Sequence, residues 1–295
     1  MDHLRINLDG LEFHALAAGP EEGHLVVLAH GFPDSSTTWV DLLDALGSAG
    51  HRAVALSMRG YAPSGIPLDS PSEPARLALD LLGVADNLRP DEHCSIIGHD
   101  WGAIAAYGAT QIAPERVDHL VAMAVPPMPA VLQAMQDPAQ LERSWYLFAF
   151  QEEGYEASVR QDDFKLIRDL WTTWSPSLPP GEDLEAAIEA IRDPLRTTAV
   201  LDYYRAMLDP TRRDPRIAWA AAKLEEPLSV PTLYLHGRLD GCMGLDSIGA
   251  VEGLLPEGSI VEIFEDAGHF LHLEEPERTA ELVLSFLGPS GQPKA

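Results

Sequence analysis

Apolar and polar positions along the chain follow two rhythms in turn. LRINL (4–8) and LEFHAL (11–16) alternate on either side of Asp9-Gly10, which predicts a β-hairpin. LVVLAHG (25–31) is an unbroken apolar run, the mark of a strand buried on both faces. WVDLLDALGSAG then carries a helical period that stops at Gly50. AVALSM (53–58), the helical stretch ARLALDLLGVADNL, CSIIGHD (94–100), the helical stretch WGAIAAYGATQI and LVAMAV (120–125) continue the alternation. Strand, helix and strand at this spacing predict right-handed crossovers and an open, mostly parallel sheet.

The pattern changes at Pro126-Pro127. From 129 to 228 helical periods and aromatic residues dominate, with breakers at Pro138, Ser175–Gly181, Pro194 and Pro210, and no strand-like run. VPTLYLHG (230–237) and IVEIF (260–264) restore the strands, followed by the helical PERTAELVLSFL. This predicts an α/β core over residues 1–128 and 229–295, with 129–228 inserted as a helical cap. The tail GPSGQPKA is expected to be loose.

With 46% apolar and 22% charged residues the chain is globular rather than disordered. No stretch reaches the roughly 18–20 apolar residues that span a bilayer. MDHLRINLDG lacks the basic and apolar regions of a secretory signal, and two cysteines make no disulfide framework, so a reducing cytoplasm is the expected home. Twenty basic against 46 acidic residues leave a net charge of −26. Such a surface repels nucleic acid, anionic membranes and strongly anionic substrates. As a solvated acidic surface it nominates no partner of its own.

In an open parallel sheet, functional residues gather at the carboxyl ends of the strands. Four such ends carry unusual residues: His30-Gly31-Phe32-Pro33, Gly98-His99-Asp100-Trp101-Gly102, Asp240 in HGRLDG, and His269 in EDAGHF. GHDWG fits the small-x-nucleophile-x-small frame of a sharp strand-to-helix turn, with Asp100 at its centre. Alone, such a pentamer is equally a helix packing face. The order 100, 240, 269 matches nucleophile, acid and histidine in the chain order of this turn's triads. Asp240 is otherwise a polar surface turn. It gains weight because VAMAV runs into two prolines and leaves no acid after that strand. No HExxH or CxxC spacing points to a metal, and no GxGxxG or P-loop pattern to a nucleotide, so no cofactor is expected.

From Leu4 to Leu287 the chain resembles the α/β-hydrolase superfamily, and within it the soluble epoxide hydrolase and haloalkane dehalogenase branch. HGFP, RGYAPSG (59–65) and GHDWG carry the likeness. The resemblance implies an Asp100 nucleophile, with the backbone N–H groups of Phe32 and Trp101 as oxyanion hole. It also implies a proline at Pro33 that is often cis. It selects His269, in its G-H-F setting, over His272, and leaves His30 and His99 to orient loops. An aspartate attacks a saturated carbon without a base and forms an ester, which then needs a water activated by His269 with Asp240 behind it.

RSWYLFAFQEEG (143–154) and VLDYYRAML (200–208) resemble the cap segments that each supply an epoxide hydrolase with one catalytic tyrosine. They match at Tyr146 and Tyr204. Tyr203 competes with Tyr204, because neighbouring helical positions face about 100° apart. Trp101, Trp145 and Phe32 are the expected substrate contacts. The two indoles would equally suit a halide, which keeps a haloalkane or haloacid dehalogenase as the alternative, and a non-catalytic ligand-binding receptor of this fold as a further one. WGAIAAYG carries no arginine to hold a substrate carboxylate, so a small neutral, hydrophobic epoxide, with water, is the expected partner. A monomer and a homodimer both remain open.

Overall fold

A computed structural model describes residues 1–68 and 71–289, so all of the expected loose tail beyond Pro289 lies outside the described residues. Strands β1 (Asp2–Leu8) and β2 (Leu11–Ala18) form the hairpin, joined through Asp9 and Gly10. They are followed by β3 (Leu25–Ala29), α1 (Val40–Ser48), β4 (Arg52–Leu56), α2 (Pro74–Leu88), β5 (Cys94–His99), α3 (Trp101–Ile112) and β6 (Val117–Met123). The apolar run at 120–125 outlasts β6 by two residues, because Ala124 takes a positive φ of 67° and turns the chain.

Between β6 and β7, among the described residues, come seven α-helices: α4 (Met128–Ala134), α5 (Pro138–Arg143), α6 (Trp145–Ala149), α7 (Glu156–Trp174), α8 (Glu182–Ile191), α9 (Pro194–Leu208) and α10 (Ala218–Lys223). Helix α7 is interrupted at Gln161–Phe164. Then β7 (Thr232–Gly237), β8 (Ile260–Phe264), α11 (Leu271–Glu274) and α12 (Pro276–Leu287) complete the described chain. Among the described residues, no strand interrupts 124–231.

The eight strands form one sheet in the order β1-β2-β4-β3-β5-β6-β7-β8, parallel from β4 to β8 and antiparallel where β2 meets its neighbours. Alternate residues of the central strands face opposite sides. Val27 and Ile96 join Leu77, Leu81 and Ala106 in one core, whereas Val26 and Ile97 join Leu42, Leu46 and Val283 in the other. Each fully buried Val, Leu or Ile contributes roughly 1.5–3 kcal/mol by leaving water. Burial on both faces explains why these strands read as unbroken apolar runs.

The helices of 129–228 lean on the carboxyl end of this sheet. The Tyr203 hydroxyl donates to the Arg59 carbonyl at 2.8 Å, and Arg196 to the Ser64 carbonyl at 2.7 Å. The loop they grip is anchored in turn by Arg59, which holds Asp80 through two buried bonds of 2.6 and 2.7 Å. No helix of the described residues is long and apolar enough to cross a membrane.

Candidate active site

The strand β5 runs into α3 through one residue, Asp100, whose φ of 52° and ψ of −116° lie outside the favoured wells of an L-residue. Such strain costs of order 1–3 kcal/mol and persists only where its surroundings impose it. Here they do. A Cβ at Gly98 would overlap the Gly102 carbonyl, and one at Gly102 the Ala29 carbonyl, so only glycine lets helix and strand close on the turn. A Cβ at Gly31 would strike the Asp100 side chain itself. The chain at Gly31 therefore passes directly over the carboxylate.

That proximity aims the next amide. The Phe32 N–H donates to Asp100 Oδ1 at 2.8 Å, and the Phe32-Pro33 bond is cis. Burial, the largest influence, raises the Asp100 pKa above the usual carboxylate range. The charges of His269 and His99 and the Phe32 and Trp101 N–H groups hold that rise back.

His269, fully buried, stands beside it. Its Nδ1 meets Asp240 Oδ2 at 2.9 Å, and a carboxylate only accepts, so Nδ1 carries the proton and Nε2 the lone pair when the ring is neutral. Nε2 has no hydrogen bond, and Asp100 Oδ2 lies 3.7 Å from it. Burial alone would lower the histidine pKa. The charge and hydrogen bond of Asp240, with Asp100 and Asp34, outweigh burial and lift it above 6.5. The Asp240 carboxyl is held below its ordinary range, since His269 and the Met243 N–H overcome its burial. Its other oxygen takes the Cys242 and Met243 amides at 2.7 and 2.9 Å, which fixes the group in place.

The backbone around this pair is tied to α7. The Trp174 carbonyl, the last of that helix, accepts both the Gly241 N–H at 3.1 Å and the His269 N–H at 3.0 Å. A Cβ at Gly241 would overlap the Thr173 carbonyl, and one at Gly268 would press on the Trp174 carbonyl. Ser175 adds a third tie, accepting from the Phe270 N–H at 2.9 Å and donating to Glu274 at 2.7 Å.

Behind Asp100, Asp240 and His269 lies a second buried pair that the sequence hints at only through loop histidines. His99 Nε2 donates to the His269 carbonyl at 2.9 Å, and its Nδ1 stands 3.3 Å from Asp34 Oδ2. Against its burial, His99 and His30 draw the Asp34 pKa down to about 2. His30 bridges two loops, accepting from the Met58 N–H at 3.1 Å and donating to the Gly31 carbonyl at 3.0 Å.

Opposite Asp100 the helical segment presents aromatic rings. Tyr204 is 2% exposed, its ring 5.0 Å from Trp101 and 5.5 Å from Phe32. Its hydroxyl, near the Trp101 side chain, makes no well-formed hydrogen bond. The neighbouring Tyr203 also touches Trp101, but its hydroxyl is engaged by the Arg59 carbonyl. Tyr146 is buried 5.8 Å from Tyr204, ring to ring, with its hydroxyl 3.3 Å from Cys242 Sγ. Burial pushes both phenols well above 10, so each hydroxyl stays a donor.

Trp145 is not part of this group. It is 43% exposed, its ring edge-on to Tyr146 at 6.4 Å, whereas the Tyr146 side chain takes the inner position. On so short a helix adjacent residues point in different directions, and Tyr146 and Trp145 cannot both face inward. Phe150 and Trp174 occupy the space instead, 5.0 Å from Tyr204 and 5.1 Å from His269 respectively. Cys242, also absent from the sequence expectations, reaches the centre from the turn after Asp240.

The chain and its fold have counterparts among known proteins. Residues 24–276 match the family described as alpha/beta hydrolase fold. Over 290 residues, covering 96% of both chains, the sequence is 31% identical to the AB hydrolase superfamily protein YfhM of Bacillus subtilis. It is 28% identical to human epoxide hydrolase 4, over 97% of this chain and 78% of that one. Among solved structures, epoxide hydrolase A from Mycobacterium thermoresistibile superposes with a TM-score of 0.80 at 25% identity, over 99% of each chain. With its parallel sheet, strand-to-helix elbow and family match over most of its length, the chain belongs to the α/β-hydrolase fold family and is a hydrolase enzyme, similar to epoxide hydrolases.

Proposed function

We propose that the protein converts a neutral, hydrophobic epoxide to its vicinal diol through a covalent ester on Asp100. One observation carries this reading: the buried carboxylate on the elbow lies among packed aromatic rings that include two phenols which burial keeps protonated, Tyr204 and Tyr146. The tyrosines bind the epoxide oxygen while Asp100 attacks one ring carbon. The C–O bond breaks, and the developing alkoxide takes a proton from a phenol. The ester carbonyl then sits where the Phe32 and Trp101 amides point, so its tetrahedral intermediate gains hydrogen bonds already in place. His269 takes the proton of the attacking water, and Asp240 stabilises the resulting imidazolium.

In this reading residues 129–228 act as the cap that carries the phenols and excludes water, and the enzyme works in the cytoplasm without metal or cofactor. The relatives' names support the substrate class. A haloalkane would need only indole or amide donors for its halide, so the two phenols favour the epoxide. The test is turnover of styrene-type and aliphatic epoxides beside 1-bromoalkanes and haloacetates, with and without EDTA. Diol formation unaffected by EDTA is expected. Halide release without diol from any epoxide would move the assignment to dehalogenation.

A further inference from the structure

We propose that Asp100, Cys242 and His269 form a latent site for a thiophilic divalent cation such as Zn²⁺ or Cd²⁺, and that its occupancy switches the catalytic centre off. Each residue offers one ligand atom: a carboxylate oxygen, a sulfur and an imidazole nitrogen. All three atoms lie within 4.8 Å of one another, and all three residues are buried. This combination of one thiolate, one imidazole and one carboxylate is a zinc-type donor set.

The histidine is already arranged as a metal ligand. Its Nδ1–H is held by Asp240 at 2.9 Å, which fixes the ring and leaves the Nε2 lone pair turned inward with no hydrogen bond. A histidine backed by a carboxylate in this way is the usual outer support of a bound zinc ion. Nε2 and Asp100 Oδ2 stand 3.7 Å apart. Two ligands at about 2.0–2.1 Å in a tetrahedron stand about 3.4 Å apart, so this pair closes with a shift of a few tenths of an ångström. The sulfur, within 4.8 Å of both, must come to about 3.6 Å from each, a movement of up to about 1 Å. Phe32 holds the other Asp100 oxygen at 2.8 Å, which leaves Oδ2 for the cation.

The chemistry balances without an oxidant or reductant. The Cys242 S–H bond breaks, its proton passes to solvent, and the sulfur lone pair forms the metal–sulfur bond. The nucleophile's oxygen and the base's nitrogen donate into the same ion. Both half-reactions therefore stop together. A second trio, Asp34, His99 and His272, also gathers within 4.8 Å, but it contains no sulfur, and His99 Nε2 is committed to the His269 carbonyl.

The sulfur makes the proposal decidable. Metal-free protein is titrated with Co²⁺ while the near-ultraviolet thiolate-to-cobalt charge-transfer band is recorded. One saturating equivalent per chain is expected, displaced by Zn²⁺ and kept in Cys94→Ala. Outer-shell partners alone are worth about 10–100-fold in metal affinity, so loss of the sulfur in Cys242→Val or Cys242→Ser should weaken binding at least about 100-fold and abolish the band. A folded wild-type protein without the band, or a band that survives both Cys242 variants, overturns the site. Zn²⁺ should also lower diol formation at least about tenfold, reversed by EDTA. A band without loss of turnover overturns the switching role. That arm alone rests on the proposed epoxide reading, and the spectral titration decides the site even if no epoxide is turned over.

Discussion

The imidazole of His269 gives its Nδ1–H to Asp240 at 2.9 Å and keeps its other nitrogen 3.7 Å from Asp100. At that separation the ring is no hydrogen-bond partner of the nucleophile, yet a water attacking an ester on Asp100 would pass within its reach. In the proposed mechanism this histidine thus serves the second half of the reaction. His269→Gln should leave alkylation in place and slow ester hydrolysis by about 10²–10⁴-fold, the usual worth of a positioned base. Mass spectrometry of the peptide containing GHDWG should show the mass of one substrate added at Asp100. In heavy-oxygen water with enzyme in excess, the first turnover of wild type should give unlabelled diol and label on Asp100. Labelled diol in that turnover, with no gain on Asp100, would instead make Asp100 a base acting on water.

The two adjacent tyrosines of α9 should separate cleanly. Tyr204→Phe removes a buried donor with no well-formed bond elsewhere, and should slow epoxide opening by about 1–3 kcal/mol, or roughly 5- to 150-fold. Tyr146→Phe should act on the same step. Tyr203→Phe removes the bond to the Arg59 carbonyl, so its cost should appear in thermal stability before rate. A silent Tyr204→Phe beside a damaged Tyr203→Phe would reverse the two roles.

Turnover should fall on acidification through loss of ester hydrolysis. Asp240, Asp100 and Asp34 face His269 and set its pKa above 6.5 despite burial, so the base is lost as pH drops through that raised value. Attack by Asp100 needs no base, so it does not depend on this histidine. As His269 protonates, single-turnover alkylation should persist while ester accumulates. Rapid-quench measurement of the ester against pH checks this. Parallel loss of both steps would contradict it.

His272 should make the fold acid-sensitive. It stacks on Trp39 at 4.5 Å with neither ring nitrogen hydrogen-bonded, and burial, with His99 and His269 nearby and only Asp34 opposing, drives its pKa to about 3. The unfolded chain protonates this histidine near 6.5 and the native chain does not, so stability falls as pH drops below 6.5. At pH 5 that loss is about 2 kcal/mol. His272→Phe should abolish this part of the slope in urea melts at pH 5 and pH 8, whatever its effect at neutral pH. An unchanged difference between the two pH values would rule the histidine out as its source.

Asp100, Asp240 and His269 were legible as candidates because each follows a strand whose apolar run is unmistakable, and the glycines beside Asp100 announce the turn. What escaped the sequence depends on rotation and distance. Tyr203 competes with Tyr204 in the sequence, and the docking of α9 on Arg59 sets their hydroxyls apart. Trp145 reads as well as Tyr146 until α6 shows which of the two faces inward. The Asp34–His99 pair spans 65 positions and carries no spacing rule. Cys242 sits in a glycine turn with no pattern around it, and becomes visible only when the fold brings it to Tyr146.

The single carbonyl of Trp174 that takes both the Gly241 and His269 amides ties the two parts of the chain together. The loops carrying Asp240 and His269 are held from an atom of the helical segment as well as by His99 at the end of β5. A chain with 129–228 excised and the ends rejoined would lose part of the scaffold of its own triad along with its phenols. Grafting a different helical segment onto this sheet would have to reproduce that one carbonyl, within the space left by Gly241 and Gly268, before any change of substrate could be read.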